Sequence, residues 1–577
     1  MILLKSKRLQ FPAMLILLLT LTASYGAPSF SAGTEATSSW VFYGQDGKLV
    51  YKKDESGNRI MDFSSAGYMG GGVAFPEVPV VKTIQPSGGD DTSVIQNAIN
   101  EVAAMPLKDG FRGALLLGPG TFITTKQINM KTSGVIVRGS GSGNGGTVIQ
   151  MNGAPFLLFN IAGTGSHTPS VGVNIADPYV PSGTDTLTVS SASGFKEGDN
   201  VLISRTATKD WIHFMGMDTL VRDGKPQTWI APGSKITTDR VIKSISGNQI
   251  TLDAPLTDSF DSKYIGSPVG TVAKYTFPGR ISQVGLEHLK IQAPAVVERY
   301  RAVYMNAITD SWVRDIVVQD GIDNFTIDKA SKQITVDNVT INHTISSTDS
   351  AAPASFTCTG TQILFNKNQA NDLQNKGKGS WAFVTQNQGS GPIVILNFTS
   401  TEKNGIAPHQ RWTTGILVDN SRFSNPSNDA QGIVFMNRTT AGSGHGWPMG
   451  WSVAWNVESP QILVSQAPGT LNWCIGCVGK KISSKDPEGQ YDSWGAKVNP
   501  ESLYLAQLKE RLGPNALANI GYAPPTVQTD KKDQLKADEN PLKGQLWWIL
   551  SGLGFIVAVI GWIVYSIFRK EKPHSMK

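Results

Sequence analysis

His409, His445, Arg411 and four tryptophans fall within 71 residues of a long chain, in segments suited to chemistry. His409 and Arg411 lie in Pro408-His409-Gln410-Arg411-Trp412, and His445 lies in Gly442-Ser443-Gly444-His445-Gly446-Trp447. Both segments are loop-like, rich in Gly, Pro and Trp, and free of apolar periodicity. β-Elimination on a uronic acid needs a cation to neutralise the C5 carboxylate, a base for the adjacent proton and an acid for the leaving oxygen. Arg411 suits the first role, because a guanidinium is always charged and binds carboxylate in a bidentate way. His409 and His445 suit base and acid, since imidazole titrates near neutrality. Trp381, Trp412, Trp447 and Trp451 offer flat apolar faces for stacking on sugar rings.

The remaining ectodomain histidines read as structural. His288 and His343 fall in or beside repeat strands, and His167 and His213 lie in segments with no evident partner. A hydrolase would need paired carboxylates on one face. Asp315, Asp320, Asp323 and Asp337 are candidates, but Asp315 and Asp337 occupy or adjoin a repeating polar position. Cys474-Ile475-Gly476-Cys477 has redox or metal spacing without a second pair, so one local disulfide with Cys358 left as a buried thiol is the expected outcome. No metal site is expected among these residues.

The elements that must position the site come from a repeat. Leu286-Glu287-His288-Leu289-Lys290-Ile291 reads apolar, any, polar, apolar, any, apolar. The pattern returns at Val313, Val336, Ile395, Val418 and Ala454, in steps of 27, 23, 59, 23 and 36 residues, and the longest step leaves room for two coils, one of them through Ile363-Leu364-Phe365. A period in the twenties with bulging loops marks a solenoid, in which stacking makes one continuous core. Asn338, Asn397, Asn420 and Asn456 share the polar position and are expected to bond along the stack. Asn338 and Asn397 also begin Asn-x-Thr sequons, as do Asn324, Asn342 and Asn437; for the first two the ladder is the better reading.

Other segments are read by composition. With 60 Gly in 577 residues and only 17% charged residues, the chain suits a large β architecture and not a helical bundle. The glycine stretch Gly139 to Gly143 leads into a strand, not a helix, which argues against a phosphate loop. Residues 1–32 have a positive start, a short apolar run and small residues, the layout of a signal peptide. Residues 546–568 are uncharged, flanked by Lys543 and Arg569-Lys570, with Trp547, Trp548 and Tyr565 near the ends, which predicts a transmembrane helix. These two segments and the basic tail account for the net charge of +6, leaving the ectodomain near neutral and giving no reason to expect a nucleic-acid partner.

The expected organisation is therefore a signal peptide over 1–32, a lead-in over 33–82, a β-helix start with a capping helix over 83–174, an inserted β module over 175–275, further coils over 276–480, a C-terminal cap over 481–521, a linker over 522–545, the membrane helix over 546–568 and a cytoplasmic tail over 569–577. The expected class is all-β: a right-handed single-stranded parallel β-helix with those additions. The expected placement is export, with a single-pass anchor and the ectodomain outside. Nothing in the sequence requires an oligomer.

Gly89-Asp90-Asp91-Thr92 through Ile95-Gln96-Asn97-Ala98-Ile99 to Leu117-Gly118-Pro119-Gly120-Thr121-Phe122 resembles the opening of β-helices of the pectate-lyase superfamily, where a short capping helix precedes the first coil. Residues 408–415 with 442–447 resemble a bacterial subgroup of secreted, pectate-lyase-like β-helix proteins. Together the similarity spans about residues 60–480. It implies a polysaccharide partner and a lyase that cleaves uronic-acid glycans. A non-catalytic glycan-binding surface protein and an inverting glycoside hydrolase are the alternatives. Calcium enters only as an implication of this resemblance. One departure stands out: an Arg-His-Asp triplet precedes Phe-Val in that subgroup, whereas here the stretch is Ser380-Trp381-Ala382-Phe383-Val384. If the triplet serves catalysis, the departure favours the binding role.

Overall fold

The computed structural model describes residues 36–345, 354–374, 381–427 and 429–523. Its core is a single-stranded parallel β-helix in which each coil contributes short strands to three stacked faces, here called X, Y and Z. Face X runs from Val80–Ile84 through Gly113–Leu117, Val135–Gly139 and Gly285–Gln292 to Gln490–Asp492, every neighbour pair parallel. Face Z runs from Ile128–Met130 through Leu157–Ala162, Arg301–Asn306, Phe325–Ile327, Ala354–Cys358, Trp381–Thr385 and Asn404–Ile406 to Gln431–Phe435. Alternate residues point inward and stack in register: Val303, Phe325, Phe356, Phe383, Ile406 and Ile433 are all at most 1% exposed.

Face Y runs from Gly120–Thr124 through Thr147–Met151, Thr340–His343, Gln369–Asp372, Thr399–Ser400 and Arg422–Phe423 to Val478–Lys481, and the polar position of the repeat is the bend from face X into face Y. His288, Asp315, Asn338, Lys367, Asn397, Asn420 and Asn456 occupy it in successive coils, all with φ between 46° and 60°. Short polar side chains tolerate this left-handed conformation best, because they can bond locally. Asn338 Nδ2 donates to Asp315 Oδ1 at 2.7 Å and Asn420 Nδ2 to Asn397 Oδ1 at 2.9 Å. Asn456 leaves the ladder and donates to the carbonyl of Val498 at 2.8 Å. The long step of the repeat holds the coil with Ile363–Asn366, since Val336 pairs with Phe365 and Phe365 with Ile395.

Two helices pack on the stack. At the first coil the helix Thr92–Ala103 buries Ile95, Ala98, Ile99 and Val102. The helix Leu503–Leu512 packs between the lead-in and the coil of Thr413–Asp419, and docks on that coil through a buried carboxylate. Asp419 accepts from Ser502 Oγ at 2.7 Å, Leu503 N at 3.2 Å and Tyr504 N at 2.8 Å, so it satisfies the otherwise orphaned donors of the helix start. Asp419→Ala is expected to destabilise the protein by about 2–4 kcal/mol, measured by urea unfolding. A loss within error of zero would mean the helix docks by apolar contacts alone.

The lead-in is ordered along face X and runs against the direction of stacking. Ala36–Thr37 pairs with Val498–Asn499, and Trp40 packs on Trp473 at 5.6 Å. Phe63 N donates to Gln507 Oε1, and the Tyr504 hydroxyl donates to the carbonyl of Ala66. Gly67 N reaches the Gln362 carbonyl, and Tyr68 packs on Trp312 before the chain enters the first strand at Val80.

An inserted module leaves face Z after Ala162 and returns at Ile281. Its strands are antiparallel and run from Thr168–Pro169 to Thr271–Thr276, slightly beyond the limits expected from sequence. Its core includes Trp211, Trp229, Trp412 and Trp447, so it is closed by turns from much later coils.

Among the described residues no helix is long and apolar enough to cross a membrane. The longest have 12 and 10 residues, against the roughly 20 that a crossing needs. This overturns the single-pass membrane placement expected from sequence. The segments 1–32 and 546–568 that suggested it lie outside the described residues. Cys474 and Cys477 form a disulfide, and Cys358 is a buried free thiol.

Candidate functional site

The turns from face Z to the next face X carry the candidate residues. His409 follows the strand Asn404–Ile406, and the ladder continues past the strand: Ala407 N donates to the Phe383 carbonyl and His409 N to the Thr385 carbonyl at 3.0 Å. This pins His409 beside the preceding coil. His445 comes from the next turn, a loop closed by Arg438 N to Gly446 O and Gly446 N to Thr439 O. The loop is glycine-dependent at Gly442, where a Cβ would lie 2.2 Å from His445 Nε2. The two imidazoles meet edge to face, with centroids 4.5 Å apart and planes at 88°.

A groove of about 540 Å³ runs along face Z. It extends from Arg301 past Thr326, Thr357 and Val384 to His409 and Arg438, crossing six coils, or roughly 24 Å at the ordinary strand spacing. Its lining includes four cations, Arg299, Arg301, Lys329 and Arg438, and two carboxylates, Asp323 and Asp328. The carboxylates have partners: Asp323 lies 3.5 Å from Arg299, and Asp328 accepts from the Tyr304 hydroxyl at 2.7 Å.

Arg438 differs from these pairs. Its Nη1 donates to the His409 carbonyl at 3.4 Å, and its guanidinium stands 5.9 Å from the Trp381 ring centre. Burial alone draws it below the usual arginine range, and no carboxylate among the described residues pairs with it. Sequence reading missed Arg438. Its only signal was a basic residue one turn from His409, inside a stretch read as a sequon.

Arg411 does not occupy the place expected of it. Its Nη2 donates to the carbonyl and hydroxyl oxygens of Ser443, at 3.0 and 2.6 Å, and it does not line the groove. The physical reason is its backbone: Arg411 and Trp412 are both left-handed, with φ of 57° and 68°, which turns the arginine toward the neighbouring loop. His445 likewise stands behind His409 and not in the groove, at 8% exposure.

Three of the four tryptophans cannot stack on a ligand. Trp412, Trp447 and Trp451 are 2%, 2% and 1% exposed. Trp412 packs on Trp211 and Trp229 and donates to Asp258 Oδ2 at 3.0 Å, Trp447 belongs to the same core, and Trp451 faces Trp473. The inserted module covers turns that read as exposed. Trp381 alone of the four lines the groove, half-buried.

The other described histidines have partners: His167 with Asp239, His213 with Asp218, His288 with Asp315, and His343 with Ser355 and Glu402. Among the described residues no group of three His, Cys, Asp or Glu is arranged to hold a metal ion, and both groove carboxylates already have partners. The calcium implied by the family resemblance therefore does not fit this groove.

Burial lowers the pKa of both site histidines to about 4, with Arg438 the next cause in each case; His445 and Arg411 add to it at His409. Both are neutral at pH 7. Their folded values lie below the unfolded value near 6.5, so the unfolded chain binds protons first as pH falls. The stability they contribute is present above pH 6.5 and is lost as pH falls toward 4. Melting at pH 7 and pH 5 should show a larger drop in the wild type than in a variant carrying His409→Asn and His445→Asn; equal drops would refute buried neutral imidazoles.

No family model matches the chain, and no curated protein matches it. Solved structures similar to it include the tailspike protein gp49 of Pseudomonas phage LKA1, 11% identical with a TM-score of 0.38, over 67% of this chain and 56% of that one. A mutant tailspike of E. coli bacteriophage HK620, in complex with a pentasaccharide, is 10% identical with a TM-score of 0.36, over 70% and 55%. A polygalacturonase from Erwinia carotovora is 11% identical with a TM-score of 0.30, over 74% and 98%. The chain thus spans little more than half the length of either tailspike. At these scores the fold rests on the coils described above.

Proposed function

We propose that the face-Z groove binds an acidic polysaccharide along the coils and cleaves it by β-elimination. One observation carries this reading: Arg438, unpaired with any carboxylate among the described residues, shares the groove with the neutral imidazole of His409. The excess of cations in the lining favours an anionic polymer, and the half-buried Trp381 offers a flat edge beside it.

In this reading Arg438 binds the substrate carboxylate and stabilises the charge that develops when the C5 proton leaves. His409 takes that proton. The C5–H and C4–O bonds break, the C4–C5 double bond forms, and the proton on the His409 imidazolium returns to the leaving oxygen. A pKa near 4 is low for a base, but a carboxylate seated on Arg438 cancels part of the positive field that lowers it. Binding and activation of the base are thereby linked.

Incubation with linear polygalacturonate, alginate and glycosaminoglycans should produce absorbance from unsaturated ends with at least one of them. New reducing ends without that absorbance would replace elimination with hydrolysis. Retention of a glycan with neither signal would leave a binding protein, the role that the Ser380-Trp381-Ala382 departure favours.

A further inference from the structure

Beside the main groove a second cavity of about 330 Å³ opens between the inserted module and the turns that leave face Z. Its size lies at the small end of the range for small-molecule sites, about 300–1,000 Å³. The two spaces share Asp328, Lys329 and Thr359 in their linings, so they adjoin at these residues. The module contributes Ser166 and His167, and a later coil contributes Gln388.

The divide between the two spaces is a strained turn. Asn387 and Gln388 are consecutive non-glycine residues with φ of 35° and 59°. Asn387 lines the groove and Gln388 lines the cavity. Left-handed conformations of this kind cost free energy and persist where surrounding structure fixes them. Here the Gln388 amide is held by the Arg411 carbonyl at 2.9 Å. The opposite wall is fixed too: His167 Nε2 lies 3.1 Å from Asp239 Oδ2, and its ring packs edgewise on Tyr275 at 4.6 Å. Asp239 is itself held by Arg280 and Lys332, so the wall is anchored through buried ion pairs.

The lining is rich in hydroxyl and amide groups. The side chains of Ser166, Thr359 and Gln388 have no hydrogen-bond partner among the described residues and can serve a ligand. Such groups recognise sugar hydroxyls, which both donate and accept. The charges in the cavity are compensated: Asp239 by Arg280 and Lys332, and Asp328 by its neighbour Lys329 at the shared edge. The cavity therefore favours an uncharged ligand, whereas the groove favours an anionic one.

We infer that the cavity is a branch pocket, which receives a neutral sugar side branch of the acidic polymer whose backbone lies in the groove. This rests on the glycan reading of the groove. It assigns the inserted module a part in specificity, because Ser166 and His167 belong to its start.

Linear oligogalacturonides and the same oligomers carrying single xylose branches test it, with binding to the whole chain followed by calorimetry. The branched oligomers should bind about tenfold more tightly or better, since a site built to hydrogen-bond a hydroxyl discriminates strongly against its absence. Ser166→Trp, which fills the cavity from an exposed loop, should remove that preference and retain linear binding. Equal affinity for the two oligomers in the wild type would overturn the branch pocket while leaving the groove. A preference that survives Ser166→Trp would also overturn it. Binding of neither oligomer would overturn the branch pocket together with the groove reading beneath it.

Discussion

Arg438→Ala is expected to lower the rate of uronate elimination on the order of 10²–10³-fold, the usual loss when a preorganised donor to developing charge is removed. The guanidinium lines the groove next to His409, and no other cation there stands at the same turn. Its fold contribution is a single long hydrogen bond and contact with Trp381, so melting should change little. Arg438→Lys should keep part of the rate, because lysine supplies the charge without the planar fork. Arg411→Ala should act only through its hydrogen bonds to Ser443, outside the groove, and cost far less. A normal rate in Arg438→Ala, measured by absorbance of unsaturated products, would remove Arg438 from the chemistry.

Trp412→Ala is expected to destabilise the protein by about 3–5 kcal/mol, as for other large buried aromatics. Trp412 fills the seam between the inserted module and the coils, with Trp211 and Trp229 at 5.6 and 5.8 Å. It also donates to Asp258, the partner of Arg205 at 2.6 Å, so its loss leaves a cavity and weakens a buried ion pair. Chemical unfolding measures the change. If Trp412→Ala left stability intact and instead abolished glycan retention, the buried assignment would be wrong.

The coils were legible in the sequence because their strictest demand is local. The bend between faces X and Y requires a left-handed residue, and Asp315, Asn338, Asn397 and Asn420 announce it by type. Lys367 fills the same bend without an Asn or Asp, which is why that coil showed only as a gap and as Ile363-Leu364-Phe365. The approach of His409 to His445 was also legible, since turns of adjacent coils must stack. The tryptophans were misread for a different reason. Gly- and Pro-rich turns mark an exposed rim only when nothing covers them, and the cover comes from residues such as Trp229, which is separated from Trp447 by 218 positions. Arg411 and Arg438 are chemically alike, and both act on His409. Only the φ angles of Arg411 and Trp412, which no residue type signals, decide which guanidinium faces the groove.

The lead-in alters how such a stack can come apart. A solenoid whose coils touch only nearest neighbours can unzip from either end, one coil at a time. Here the segment before the first strand pairs at Ala36–Thr37 with Val498–Asn499, then touches Gln507, Gln362 and Trp312 in turn. Peeling off the last coils therefore means detaching a segment that is covalently continuous with the first. Opening at one end is coupled to the other, and a linear array acquires the cooperativity of a closed one.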